Sequence, residues 1–248
     1  MQEYGYIPQL RVQPKAFWKK SLLLARAQGA DPILSYMFLM LKEATMDNAV
    51  QLTRKSFISH GKNITFFPGV EAWFTRMNRY AKSKGVLLEH YIISSGLKEM
   101  IEGTAIAKYF RKIYASSFMY DQNAVACWPA LAVNYTTKTQ FLFRINKDHL
   151  DVWDNSKINA FTPMEERRIP FGRMIFIGDG ETDVPCMRLV KDLGGYSCAV
   201  HKESRVAKKK ACQLLDHGRV QLVAPADYRS GSLLDREIKK TILQMAKH

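Results

Sequence analysis

Chemistry is most concentrated in the run Ile175-Phe176-Ile177-Gly178-Asp179-Gly180-Glu181-Thr182-Asp183. An apolar stretch delivers two carboxylates, Asp179 and Asp183, with glycines on both sides of the first. Carboxylate oxygens of this kind suit Mg²⁺, and the glycines let backbone approach a ligand closely. A second apolar run, Ile92-Ile93, ends in Ser94-Ser95-Gly96. A hydroxyl with backbone N–H groups at a helix start makes a phosphate cradle. The third candidate is Lys138, after Asn134-Tyr135-Thr136-Thr137. Each has a plainer reading: Asp183 as a helix cap, Ser-Ser-Gly as a turn, Lys138 as a solvated surface charge.

The elements that must position these residues are legible in the periodicity. Ile175–Ile177 has the continuous apolar character of a strand buried on both faces, and Tyr196–Val200 reads as another strand. Lys112–Ala115 reads as a strand, and Asp121-Gln122-Asn123 as the turn of a β-hairpin near 117–133. Helices are expected over 70–81, through Met100-Ile101, and from about Thr137 to Asn146. A last helix runs from Leu233 to Met245, opened by Ser232 with Asp235 three residues on. Before residue 64 the pattern is helical. Pro14 suits a first helical position and Gly29 an end, Asp31-Pro32 opens a second helix, and Asp47 caps a third running towards Phe57. Phe17, Trp18, Tyr36 and Phe38 supply aromatic residues that read as bundle core. The alternation of strand and helix from residue 65 onward predicts an α/β domain with a parallel sheet. The expected division is a helical cap over 1–63 and an α/β core over 64–248.

Composition narrows the function. Apolar residues make up 47% and charged residues 24%, the balance of a folded globular chain. No run is long and apolar enough for a spanning helix, so no membrane partner is expected. Met1-Gln2-Glu3-Tyr4 does not open a secretory signal. Cys127, Cys186, Cys198 and Cys212 form no CxxC pair or zinc spacing, which fits reduced thiols and a cytoplasmic protein. Lys plus Arg number 37 against 23 Asp plus Glu, a net charge of +14 that favours anionic partners. The basic residues are dispersed, and the run Lys208-Lys209-Lys210 reads as a solvated helix face. No RNA or DNA motif accompanies the charge, so nucleic acid is not expected, and phosphorylated metabolites remain among the anionic partners it favours.

The ordered set resembles the haloacid dehalogenase (HAD) superfamily of phosphohydrolases, and within it the phosphoserine-phosphatase-like branch. Tyr91 to Ser94 is similar to its second motif, Lys138 to its third-motif lysine, and Gly178 to Asp183 to its GDGxxD motif. Segment 14–60 resembles its inserted cap, and Phe67-Pro68-Gly69 its helix opening before the second motif. The resemblance implies a Rossmann-like parallel sheet flanked by helices with a small helical cap. It implies Mg²⁺-dependent phosphomonoester hydrolysis through an aspartyl-phosphate. Ser94, Ser95, Gly96 and Lys138 would hold the phosphate. Asp179 would ligate Mg²⁺, and Asp183 would hold Lys138 or a metal-bound water. Ser94, Lys138 and Asp183 would form the catalytic set present in the chain.

The family's first motif, DxDx[TV], which carries the nucleophile and the acid/base, is absent: the sequence has no Asp-X-Asp. The favoured reading is an N-terminally truncated enzyme, nearly inactive as given, with Mg²⁺ weakly held or absent. The alternative is a non-catalytic binding protein for a phosphorylated or other anionic ligand. The family's first strand lies between the Ser94 and Asp179 strands. Its loss predicts that the sheet closes up, that another segment fills the slot, or that a second chain does, as in a homo-oligomer.

Overall fold

The computed structural model describes residue 7, residues 12–47 and residues 52–247. The expected start of the family resemblance, about residue 2, lies outside them. The chain divides into two compact units. One comprises Met1–Thr65 with His90–Asn134, and the other Phe66–Glu89 with Tyr135–His248.

The first unit opens with α1 (Pro14–Gln28), which has proline in its first turn and Gly29 in the left-handed conformation at its end. That Gly29 φ of 59° is one that side-chain-bearing residues rarely adopt. Helix α2 (Pro32–Asp47) starts at Asp31, whose Oδ1 accepts the N–H groups of Ile33 and Leu34 at 2.8 and 3.0 Å. The third helix, α3 (Arg54–Gly61), corrects one expectation. Its cap is Thr53, whose hydroxyl accepts the Ser56 N–H at 3.1 Å, whereas Asp47 ends the preceding helix. A threonine hydroxyl at the residue directly before the helix reaches the free N–H groups, and a residue six positions earlier does not.

The same unit contains β1 (His90–Leu97), the short α5 (Lys98–Glu102), β2 (Phe110–Tyr120) and β3 (Ala126–Leu131). Strands β1 and β2 are parallel, and β2 and β3 form the antiparallel hairpin expected near 117–133. At its turn, Asp121 Oδ1 accepts the N–H groups of Asn123 and Val125, both at 2.9 Å. Phe17, Tyr36, Met37, Leu39, Met40, Phe57, Leu97, Met100 and Phe118 are all buried in one core. The division therefore runs differently from the expected 1–63 and 64–248. Segment 90–134 clusters with the helices because Leu97, Met100 and Phe118 bury their side chains among helix residues. Phe57 stacks on Phe118 with ring centroids 5.8 Å apart. Tyr36 donates its hydroxyl to the Ser95 carbonyl at 2.9 Å. Phe17 and Tyr36 are core, as expected, but Phe38 is half exposed at 50%.

The second unit opens with α4 (Val70–Ser83), which buries the expected stripe of Trp73, Phe74, Met77 and Ala81. Gly69 at its start has φ 82°, and a Cβ there would lie 2.4 Å from the Arg229 nitrogen, so only glycine fits. Then follow α6 (Thr137–Lys147), β4 (Ile175–Gly178), α7 (Val184–Asp192), β5 (Tyr196–His201), α8 (Arg205–Asp216), β6 (Leu222–Pro225) and α9 (Leu233–Met245). Strands β4, β5 and β6 lie in that order, all parallel, with a helix in each crossover. This is the expected α/β, Rossmann-like arrangement. Ser232 caps α9 as expected, its Oγ accepting the Asp235 N–H at 3.1 Å.

The strands form two three-stranded sheets rather than one. This accounts for a second correction. Ile175, Phe176 and Ile177 are half-buried, not buried on both faces, because β4 is the edge of its sheet. The middle strand, β5, is buried from Ser197 to His201. Among the described residues no helix is long and apolar enough to cross a membrane.

A long connection, residues 148–170, carries no strand or α-helix. It is tied down from the end of α6. Arg144, buried, donates to the carbonyls of Asp151 and Asp154 at 2.7 and 3.0 Å and to Asn155 Oδ1 at 2.6 Å, with longer bonds to His149 and Val152. Lys147 donates to the carbonyls of Ile158 and Ala160, and Asn146 to that of Ile169.

Candidate active site

The carboxylates gather at the C-terminal edge of β4, where ligands bind in open α/β sheets. Gly178 ends the strand, and a single turn of 3₁₀-helix, Glu181–Asp183, leads into α7. The Asp183 N–H donates to the Gly180 carbonyl at 3.0 Å, and Asp183 Oδ2 accepts the Gly180 N–H at 3.2 Å. This tight closure explains Gly178. A Cβ there would come within 2.8 Å of the Asp183 Cβ and Oδ2 and of the Met187 terminal methyl.

Lys138 is not the solvated charge its residue type suggests. It sits in the first turn of α6, 3% exposed, with its Nζ 2.6 Å from Asp183 Oδ1 and 2.8 Å from Thr182 Oγ1. Asp183 is itself 8% exposed, so the ion pair is buried on both sides. Both Asp183 oxygens are engaged, one by the lysine and one by a backbone N–H. Such a carboxylate positions its neighbours and has little left for direct metal ligation. Thr182 escaped the sequence reading of individual residues. Its signal was its place inside the Gly178–Asp183 run.

Asp179 is different. Among the described residues it forms no ion pair and no hydrogen bond to another side chain, and it is exposed. Protein around the carboxylate reduces its hydration and raises its pKa above the usual carboxylate value. The negative Asp183 adds to this, and Lys202, a hydrogen bond from its own backbone N–H and Lys138 oppose it. Lys202 was also missed from sequence. Gly178 pairs with Ala199 across the β4–β5 ladder, so residues just past His201 emerge along the same sheet edge as Asp179. The Lys202 carbonyl accepts from His201 Nδ1 at 2.9 Å and from the Ser204 N–H at 2.7 Å, which fixes its backbone.

Among the described residues no group of three or more His, Cys, Asp or Glu side chains is arranged to hold a metal. Mg²⁺ needs less than that, because it keeps several waters and is often held by one or two carboxylates with substrate phosphate. The free Asp179 carboxylate fits such a partial anchor. Cys186 and Cys198 are buried, and burial pushes both thiols up to about 12, so neither is a nucleophile near neutral pH.

The second predicted locus lies in the first unit. Ser94-Ser95-Gly96 belongs to the end of β1, and the helix that follows, α5, has only five residues. Ser94 Oγ accepts the Gly96 N–H at 3.0 Å, so this amide of the expected cradle is occupied while the serine O–H proton stays free to donate. Ser95 Oγ is buried with no hydrogen-bond partner, an unsatisfied group of the kind a polar ligand or a water fills.

An uncharacterized protein of Borreliella burgdorferi is 26% identical over 226 residues, covering 84% of this chain and 76% of that protein. A HAD family hydrolase from Salmonella enterica subsp. enterica serovar Typhi is similar at 18% identity and a TM-score of 0.37, over 77% of this chain and 60% of that one. The family model described as haloacid dehalogenase-like hydrolase matches residues 3–188. With well over half of its length matched, the chain belongs to the haloacid dehalogenase-like hydrolase family.

Proposed function

We propose that this chain is a HAD-type phosphomonoester hydrolase scaffold that binds a small phosphorylated molecule and is nearly inactive over the 248 residues given. The observation that supports it is the buried Lys138–Asp183 pair beside the unpaired Asp179 at one strand end. A buried lysine held by one carboxylate keeps a fixed positive charge ready for a transferring phosphoryl group. Thr182 Oγ1 adds a second anchor for its Nζ. Asp179 would hold Mg²⁺, with Asp183 and Lys138 fixing the surroundings. When bound, Mg²⁺ would neutralise charge on the phosphate.

No Asp-X-Asp stands anywhere in the sequence to supply the nucleophile and acid/base. That absence favours binding without turnover, and it keeps a second reading in view: a non-catalytic binder of an anionic ligand. The test is p-nitrophenyl phosphate hydrolysis with Mg²⁺ beside calorimetric titration of inorganic phosphate. Binding that Asp179→Asn abolishes, with negligible hydrolysis, is the expected result. Hydrolysis at an ordinary enzyme rate would sink the claim of inactivity, and absence of any Asp179-dependent phosphate binding would sink the scaffold reading.

A further inference from the structure

The C-terminal edge of the β4-β5-β6 sheet carries several charged residues, and most are already matched. Lys138 pairs with Asp183, Lys210 with Glu181 at 2.9 Å, and Arg229 with Asp227 at 2.7 Å. Several charges remain outside any ion pair among the described residues: the Asp179 carboxylate after β4, and Lys202, Glu203 and Arg205 after β5. Glu203 lies in the field of Arg229, and Lys202 in that of Asp179. Asp179 and Lys202 follow neighbouring strands whose register brings them to one edge, and they form no ion pair. Lys202 is exposed, yet its backbone is pinned by the buried His201 and by the Ser204 N–H. Adjacent charges of opposite sign held apart at a sheet edge leave one place for a cation and one for an anion. Asp179 serves the first. Inorganic phosphate at Lys138 and Asp179 would leave the second empty.

We propose that Lys202 is a specificity-determining residue that takes a second anionic oxygen group, a carboxylate or a second phosphate, on the phosphorylated molecule bound at Asp179 and Lys138. This deepens the phosphate-binding reading above and rests on it. Lys202 contacts the part of the ligand that does not react. It therefore selects among phosphorylated molecules without adding to affinity for phosphate itself.

The test compares three probes by calorimetry with Mg²⁺ present: inorganic phosphate, phosphoglycolate, and ethylene glycol bisphosphate. Wild type should bind phosphoglycolate or the bisphosphate about 5-fold more tightly than phosphate, the scale of an exposed ion pair. Whichever probe shows the gain identifies the second group. Lys202→Met should erase the gain and leave phosphate affinity within about twofold. Lys82→Met, which removes an exposed lysine in the last turn of α4, should leave the gain intact. Equal binding of all three probes to wild type, or an equal loss for all three in Lys202→Met, overturns the inference and leaves the phosphate-binding reading standing. Phosphate binding that is undetectable, or indifferent to Asp179→Asn, removes the reading and the inference together.

Discussion

Lys138 Nζ and Asp183 Oδ1 lie 2.6 Å apart with both residues buried. Neither partner can be removed cheaply, because the survivor would be a charge stranded away from water. Lys138→Met should cost about 3 kcal/mol of folding stability, and Asp183→Asn a similar amount, because the amide keeps the shape but leaves the buried lysine without its counter-charge. Urea denaturation of the two variants tests this. A loss below about 0.5 kcal/mol for Lys138→Met would mean that the pair is solvated in solution.

Gly178→Ala tests the closeness of the turn. The new methyl would press on Asp183, which is fixed by Lys138 and Gly180, and on the flexible end of Met187. The expected cost is about 1–3 kcal/mol, the range of overpacking. Phosphate affinity should fall as well, since the displaced Asp183 no longer positions Lys138. Unchanged stability and affinity would show that the turn yields easily.

The chain should lose stability in mild acid. Burial lowers the pKa of His90 from the usual 6.5 to about 4, and His60 is lowered in the same direction by the same cause. The unfolded chain then binds more protons between these values than the folded one. His90's contribution is full above about 6.5 and falls as pH drops toward about 4. Denaturation midpoints at pH 7.5 and 5 should differ, and His90→Gln should shrink the difference. An equal difference in the variant would assign the acid sensitivity elsewhere.

Much of the fold was legible because local chemistry decides it. Pro14, Gly29, Asp31, Gly69, Ser232 and the Asp121 turn mark boundaries through their own backbone preferences and side-chain bonds. Burial was less legible. The run Ile175-Phe176-Ile177 is as apolar as a central strand, and only the pairing order reveals it as an edge. The division of units was hidden for a related reason. Phe118 meets Phe57 across sixty-one positions of sequence, and no local pattern announces such a contact. In the site, Asp179, Asp183 and Lys138 stood out by motif and order. Lys202 did not, since a lysine after a strand is ordinary until the register places it on the same edge as Asp179.

The grip of Arg144 on the 148–170 connection has an evolutionary consequence. The guanidinium reads main-chain oxygens at positions 149, 151, 152 and 154, which every residue type supplies equally. Side chains there are free to drift as long as the number of residues stays constant. Relatives that keep an arginine at this helix end should vary in the letters of the loop far more than in its length, with Asn155, read through its side chain, the position that resists change.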